Sequence, residues 1–251
     1  MVAVRRKAEA SIDGASPTTR KASVRPRRTQ AERSAEMRRR LCEAALDTLC
    51  KVGYERLSTA MIAKRARVSR GAQTHHFPTK VDILVGAFEH LLGVWEASRR
   101  DFIAAHAQPI PFDVYLRYIW TDVMSRPSYI AAIELMLAAR SDATLRRRLQ
   151  KTLDRWAIFR DALWAQALDL QSAGREGQTF MHINLCLLRG MAIHASFNRD
   201  ENVNNEILEA WIALAAKIMR GGSKSATILQ LSRPRVPQKA AASSRKARAT
   251  P

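Results

Sequence analysis

Cysteine is scarce in this 251-residue chain: only Cys42, Cys50 and Cys186 occur, and no two are spaced as CxxC. Each falls within an apolar helical pattern, the usual setting of reduced core thiols, so a disulfide framework is excluded and a cytoplasmic protein is expected. No uninterrupted apolar run reaches the ~18 residues that a membrane-spanning helix needs, and residues 1–30 lack the apolar core of a signal peptide. A membrane is therefore not among the expected partners. GxGxxG, the phosphate-binding P-loop, HExxH and GxSxG are all missing, which leaves no constellation for catalysis. No enzyme activity, cofactor or metal is expected. His75 and His76 do not change this, because adjacent side chains on a helix point ~100° apart and cannot share one ion. Strand-like alternation and 20- to 50-residue repeats are also lacking, and the chain reads as all-α.

What is present is a normal hydrophobic fraction, 47%, with 26% charged residues and a formal charge of +19. Such an excess calls for an anionic partner. Its distribution divides the chain. Residues 1–35 hold nine Lys/Arg against three Asp/Glu, and residues 221–251 hold seven against none. Residues 36–80 hold ten against four, while residues 81–220 hold sixteen of each. Residues 1–32 and 221–251 have no apolar periodicity and read as disordered basic extensions. For the first, a solvated tail is favoured over an arm on DNA phosphates, and Glu9 and Asp13 speak against a transit peptide. The folded part splits into 33–80 and 81–220.

The segment from Ser58 to Phe77 reads as two short helices around a tight turn, a DNA-reading unit. Ser58 or Thr59 caps the first, and Ile62, Ala63 and Ala66 recur on one face. Val68 points inward from the turn. Ser69 caps a second helix whose outward positions are Arg70, Ala72, Thr74 and His75, with Phe77 plugging it into the core. Before it, Met37, Leu41, Ala45, Leu49 and Val52 mark an amphipathic helix from Ala35 that Gly53 ends. Arg38, Arg39 and Arg40 near its start suit a phosphate backbone or a plain solvated face.

Gly53 and Tyr54, Thr59, Ile62 and Ala63, Val68 and Ser69, Gly71, His76 and Phe77, and Lys80 together resemble the helix-turn-helix of the TetR family of bacterial transcriptional repressors. Two sites depart from its pattern. Arg67 stands where the family usually has a turn Gly, at a cost of about 1 kcal/mol if positive φ is kept. Gln73 and Thr74 replace Leu-Tyr, so an apolar plug and a phosphate-binding phenol are expected to be missing. The resemblance implies a three-helix DNA-binding domain followed by a larger helical ligand-sensing and dimerisation domain. Ser69, Arg70, Gly71, Ala72, Thr74, His75 and His76 then form the DNA side, with Arg70 and His75 at the groove and Thr59, Thr74 and Lys80 on phosphates. The sensing pocket is expected among the central helices, lined by Trp120, Met124, Met136, Trp156, Phe159 and His182, for a small hydrophobic or aromatic effector. Aromatics at this spacing serve equally well as core.

A helix from Lys80 carries Leu84, Phe88, Leu91 and Trp95 out of the DNA-binding unit and couples the two parts. Further helices are expected to about Ser125, over 128–140 and from Asp142, the last broken by Gly174 and Gly177. Two more follow, from Gln178 to about Asn198 and from Val203. In the first, Met181, Leu185, Leu188, Ala192 and Ala195 give one apolar face and Ile183, Leu187 and Met191 another, and in the second Ile207, Trp211, Leu214 and Ile218 run beside Leu208, Ala215 and Met219. Arcs wider than one core needs predict a homodimer on a pseudo-palindromic double-stranded operator. The expected function is a ligand-released repressor. The alternative is a helical structural protein that coats DNA through its basic tails.

Overall fold

The computed structural model describes residues 29–168, 174–198 and 200–221, and within them every regular element is helical. The two basic extensions lie outside the described residues except at their inner ends. There the structure corrects the expected boundary, since α1 (Gln30–Arg56) begins before Ala35. The reason is a capping box. The Thr29 hydroxyl accepts from Glu32 N at 3.1 Å, and the Glu32 carboxylate accepts from Thr29 N at 2.7 Å. Gly53 breaks the helix as expected, at φ 75°, and a Cβ there would lie 2.6 Å from Glu134 Oε1.

α2 (Thr59–Ala66) and α3 (Arg70–His76) are capped by the Ser58 and Ser69 hydroxyls, and between them Arg67 keeps the left-handed conformation, φ 54°. α4 (Lys80–Ala104) starts from a second capping box, Thr79 with Asp82. Pro78 lies in the break before it, where it cannot extend α3. α5 (Phe112–Tyr118) runs on into a π-helical turn, Ile119–Met124. α6 (Pro127–Ala138) has Pro127 in its first turn, and α7 (Ala143–Ala167) is capped by Asp142, whose carboxylate accepts from Thr144 N and Leu145 N. α8 (Gly174–Phe197) and α9 (Glu201–Gly221) complete the described chain. Gly177 does not break α8, contrary to expectation; it is buried inside the helix.

One continuous core joins both ends of the chain, from Leu41, Ile62 and Phe77 through Leu84 and Phe88 of α4 to Leu145, Leu188 and Ile212. α4 packs between α1 and α7, α2 packs on α1 and α3 on α2, and the Trp95 and Phe102 rings carry α4 onto Tyr129 of α6 and Tyr115 of α5. At the seam, Glu134 of α6 accepts from Tyr54 N at 2.8 Å, Arg148 of α7 pairs with Asp82, and Thr152 donates to Glu89 at 3.0 Å. Of the three cysteines only Cys42 is core; Cys50 and Cys186 are exposed, because their helices turn those positions outward. No helix among the described residues is long and apolar enough to cross a membrane.

Candidate nucleic-acid interface

The exposed face of α3 carries Arg70, Gly71, Thr74 and His75, with Ala72 half-buried behind them and Ser69 holding the first turn by accepting from Ala72 N at 3.1 Å. On the opposite face Phe77 is 2% exposed and presses against Gly86 of α4, where a Cβ would meet its ring at 2.7 Å. Gly86 therefore admits the plug. The apolar plug thought missing at Gln73 is supplied differently: Gln73 is buried, and its amide donates to Phe77 O at 2.6 Å, closing the end of α3. Its stem fills the space of a leucine while its head satisfies an orphan carbonyl.

The cations of this unit divide by what they hold. Arg38 donates to His76 O at 2.9 Å, its guanidinium 4.3 Å from the Phe77 ring centroid. Arg40 donates to Ala66 O at 2.7 Å, and Lys80 donates to Tyr54 O at 2.8 Å with its ammonium 4.4 Å from the Tyr54 ring. Each of the three ends on a carbonyl that a helix terminus leaves unpaired, where the helix dipole favours a cation. Arg39 lies between Glu36 and Glu43, at 2.7 and 2.5 Å. Arg38 and Arg40 thus brace helix ends, while Arg39 pairs only within α1 on the solvated face that was the second expectation. Lys80, expected on a phosphate, is likewise a brace between α4 and the end of α1. Arg65 and Lys51 share Asp47. Lys64, Arg67 and Arg70 are exposed and, among the described residues, have no side-chain partner. Half-buried Thr59 opens α2. His76 is half-buried too, its imidazole pKa held below the usual value by burial and then by the neighbouring His75 and Arg38, so it stays neutral at pH 7.

None of the described cavities is lined by more than one of the six residues expected to line a sensing pocket. Trp120 borders a surface cleft of about 460 Å³ with Thr121, Ser125 and Asn198. Met124 is buried and Met136 half-buried in the core. Phe159 lies under the Arg100 guanidinium at 4.7 Å, and His182 is exposed, 3.9 Å from Asp161. Trp156 alone enters a polar cluster, packing against Trp95 with ring centroids 6.0 Å apart and against Arg99 and Arg160 at 5.5 and 5.0 Å. Helical spacing gave the right depth for several of the six, but not a shared direction. Reading for aromatics missed Arg99 and Arg160. The signal was there: Phe88, Leu92, Trp95 and Arg99 run at spacings of four, three and four, so an arginine occupies an apolar stripe.

Residues 41–87 match the sequence profile described as bacterial regulatory proteins, tetR family. The HTH-type transcriptional regulator CymR of Pseudomonas putida is 32% identical over 203 residues, covering 77% of this chain and 98% of that protein. Among solved structures, the transcriptional regulator FadR of Bacillus subtilis in complex with stearoyl-CoA superposes with a TM-score of 0.53 at 18% identity, over 69% of this chain and 96% of that one. The multidrug binding protein EbrR complexed with imidazole gives 0.54 at 23%, over 76% and 97%. At those identities the likeness to the two structures is one of fold.

Proposed function

Since the chain belongs to the TetR family and is a DNA-binding transcriptional regulator, we propose that it is a homodimeric repressor that reads a pseudo-palindromic operator with α3 and releases it when a small molecule binds among α4 to α8. The observation that carries this reading is the division of cations at the DNA-facing end. Bracing residues hold α3 rigid against α1 and α4, and Arg70, Thr74 and His75 remain free on its outer face. A rigid short helix with a free guanidinium suits base reading in the major groove, and Lys64 and Arg67 on the same side suit phosphates. The effector half of the proposal draws support from the two neighbours of like fold, one holding stearoyl-CoA and the other imidazole. It acts by binding rather than by catalysis.

The surface that suits a dimer lies on α8 and α9, at Ile183, Ile207 and Leu214 of the expected arcs rather than at Leu185 and Trp211. Met181, Leu185, Leu188 and Ala192 are consumed by the chain's own core, and Trp211 turns inward to donate to Asn184 at 2.7 Å. The unpartnered stripe is Ile183, Cys186, Gly190, Ile193 and Phe197, at spacings of three and four, beside Ile207 and Leu214. Phe197 is 73% and Leu214 50% exposed, large apolar groups that a second copy would cover. Two α3 helices then address half-sites about 34 Å apart or a multiple of that.

Selecting bound sequences from a random DNA pool tests the whole reading. A two-fold symmetric motif is expected, with Arg70→Ala relaxing the preference at one position by about 1–3 kcal/mol. Unselective binding that collapses with salt would instead point to a DNA-coating protein. Phe197→Glu with Leu214→Glu is expected to give folded monomers without operator affinity, and an intact dimer in sedimentation would remove the proposed seam.

A further inference from the structure

Arg99 sits on the inward stripe of α4 with 0% of its surface exposed. No acceptor among the described residues meets its Nε, Nη1 or Nη2 in good hydrogen-bond geometry, and the Tyr115 hydroxyl oxygen only approaches the guanidinium, so a cation that stays protonated is left with most of its five N–H bonds unmade. The groups whose charge acts on it are Tyr115, Tyr118, Arg160 and Tyr129: three phenols and a second guanidinium, with no carboxylate among them. Arg160 offers no relief, being cationic and already turned to Asp161 at 2.7 Å. Three more donors are buried and unpaired in the same region, the Tyr115 hydroxyl and the indole N–H groups of Trp156 and Trp164. The Tyr115 and Trp164 rings meet edge to face at 5.6 Å, so these donors are neighbours. Burial pushes the Arg99 pKa down and the Tyr115 pKa up, each against its charged form.

A buried guanidinium short of acceptors is among the most costly arrangements in a protein interior, and unpaired donors around it compound the cost. All of them lack the same thing, an acceptor. We infer that Arg99 anchors the effector site and that the effector is an organic monoanion, a carboxylate carried on a compact aromatic or apolar body. The inference rests on the ligand-released repressor reading and sharpens the hydrophobic effector expected from the sequence. Two carboxylate oxygens match the guanidinium fork, and one negative charge balances the one unpaired positive charge, whereas a phosphate dianion would overshoot it. The body has Trp95, Trp156 and Tyr129 to lie against; Trp95 and Tyr129 are packed 5.5 Å apart. Arg99 is on α4, the helix whose other end receives Phe77 at Gly86, so an occupant here acts on the element that seats α3.

Thermal unfolding and calorimetry of the full-length protein with benzoate, phenylacetate and hexanoate test this, with benzamide as the neutral counterpart of benzoate and with acetate and inorganic phosphate as bare anions. At millimolar concentration at least one of the three larger carboxylates is expected to raise Tm, and the bare anions and benzamide are not. Arg99→Met should unfold no earlier than the parent without ligand, because it removes an unpaired charge, and should bind the carboxylate about 10- to 100-fold more weakly. No shift with any of the three, an equal shift with benzamide, acetate or phosphate, or unchanged affinity in Arg99→Met would overturn the proposal. Should Arg99→Met fail to fold, Tyr115→Phe removes one orphan hydroxyl and no carbon, and must still weaken carboxylate binding severalfold for the proposal to stand. Operator selection run in parallel separates the two readings. Selective DNA binding without carboxylate binding sinks only this inference, and carboxylate binding without selective DNA binding sinks only the repressor.

Discussion

Arginine is used in opposite ways at the two ends of α4. At the DNA-facing end Arg38 and Arg40 each end on a helix carbonyl, at 2.9 and 2.7 Å, and what looked in the sequence like surplus charge is structural. At the far end Arg99 is buried more deeply, against the Trp156 ring and the Tyr115 phenol, and meets no carbonyl or carboxylate among the described residues. A charged hydrogen bond contributes about 1.5–3 kcal/mol when made, and an unpaired buried charge costs at least as much. The first pair therefore holds up the free protein, while Arg99 weighs against it until an anion arrives. Net charge alone predicts neither behaviour; the position of the nearest acceptor decides both.

Breaking the seat of α3 is the largest perturbation of this contrast. Phe77→Ala empties a 2%-exposed position beneath Arg38 and is expected to cost about 3–5 kcal/mol in denaturant unfolding, with loss of operator binding. Next comes the direct comparison of the arginines. Arg40→Ala uncaps Ala66 O and should cost about 1–2 kcal/mol, whereas Arg99→Met should be neutral or stabilising. Equal losses in the two variants would erase the distinction drawn here. Arg67→Gly is smaller and of opposite sign: φ 54° suits glycine, so a gain of about 1 kcal/mol is expected, with weaker DNA affinity at low salt if Arg67 holds a phosphate.

These residues also mark how far the sequence could be read. The caps at Ser58 and Ser69 were legible because an N-cap is made within three residues, and the helices followed from their stripes. The early start of α1 was equally local in Thr29 and Glu32, but charge there drew attention away from the capping box. The partners of Gln73, Arg38 and Arg40 are carbonyls, which sequence does not display. For the six proposed lining residues spacing fixes a side of one helix and says nothing of which helices face each other, so it sets depth and not a shared cavity. Arg99 was legible only as a broken stripe.

A pH titration probes the seam between the ends. Asp82 caps α4 and meets Arg148 of α7, and the Thr79 hydrogen bond first, then Arg148, holds its carboxyl pKa below the usual value. A depressed acid contributes stability that is present above its unfolded pKa, about 3.9, and is lost as pH falls through the lower folded value. Wild type should therefore lose stability below about pH 4 more steeply than Asp82→Asn, and superimposable acid limbs would show that the pair adds nothing.

The smallest effect is a labelling rate, and it compares the core of the DNA-facing end with the proposed dimer face. Cys42 is 5% exposed, and burial pushes its thiol up to about 11, so at neutral pH it offers almost no thiolate and no path to a reagent. Cys186 is exposed in the single chain, midway between Ile183 and Gly190 on the stripe assigned to a second copy. Iodoacetamide should therefore spare Cys42 in the folded protein at every concentration, and should modify Cys186 faster as dilution separates the subunits. Cys50, exposed on α1 in a cleft that reaches Ala192, Ala195 and Ser196 of α8 but none of the stripe residues, is the internal reference for labelling. A Cys186 rate that tracks Cys50 across dilution would place the stripe outside the interface, and the surplus apolar surface of α8 would then need another partner.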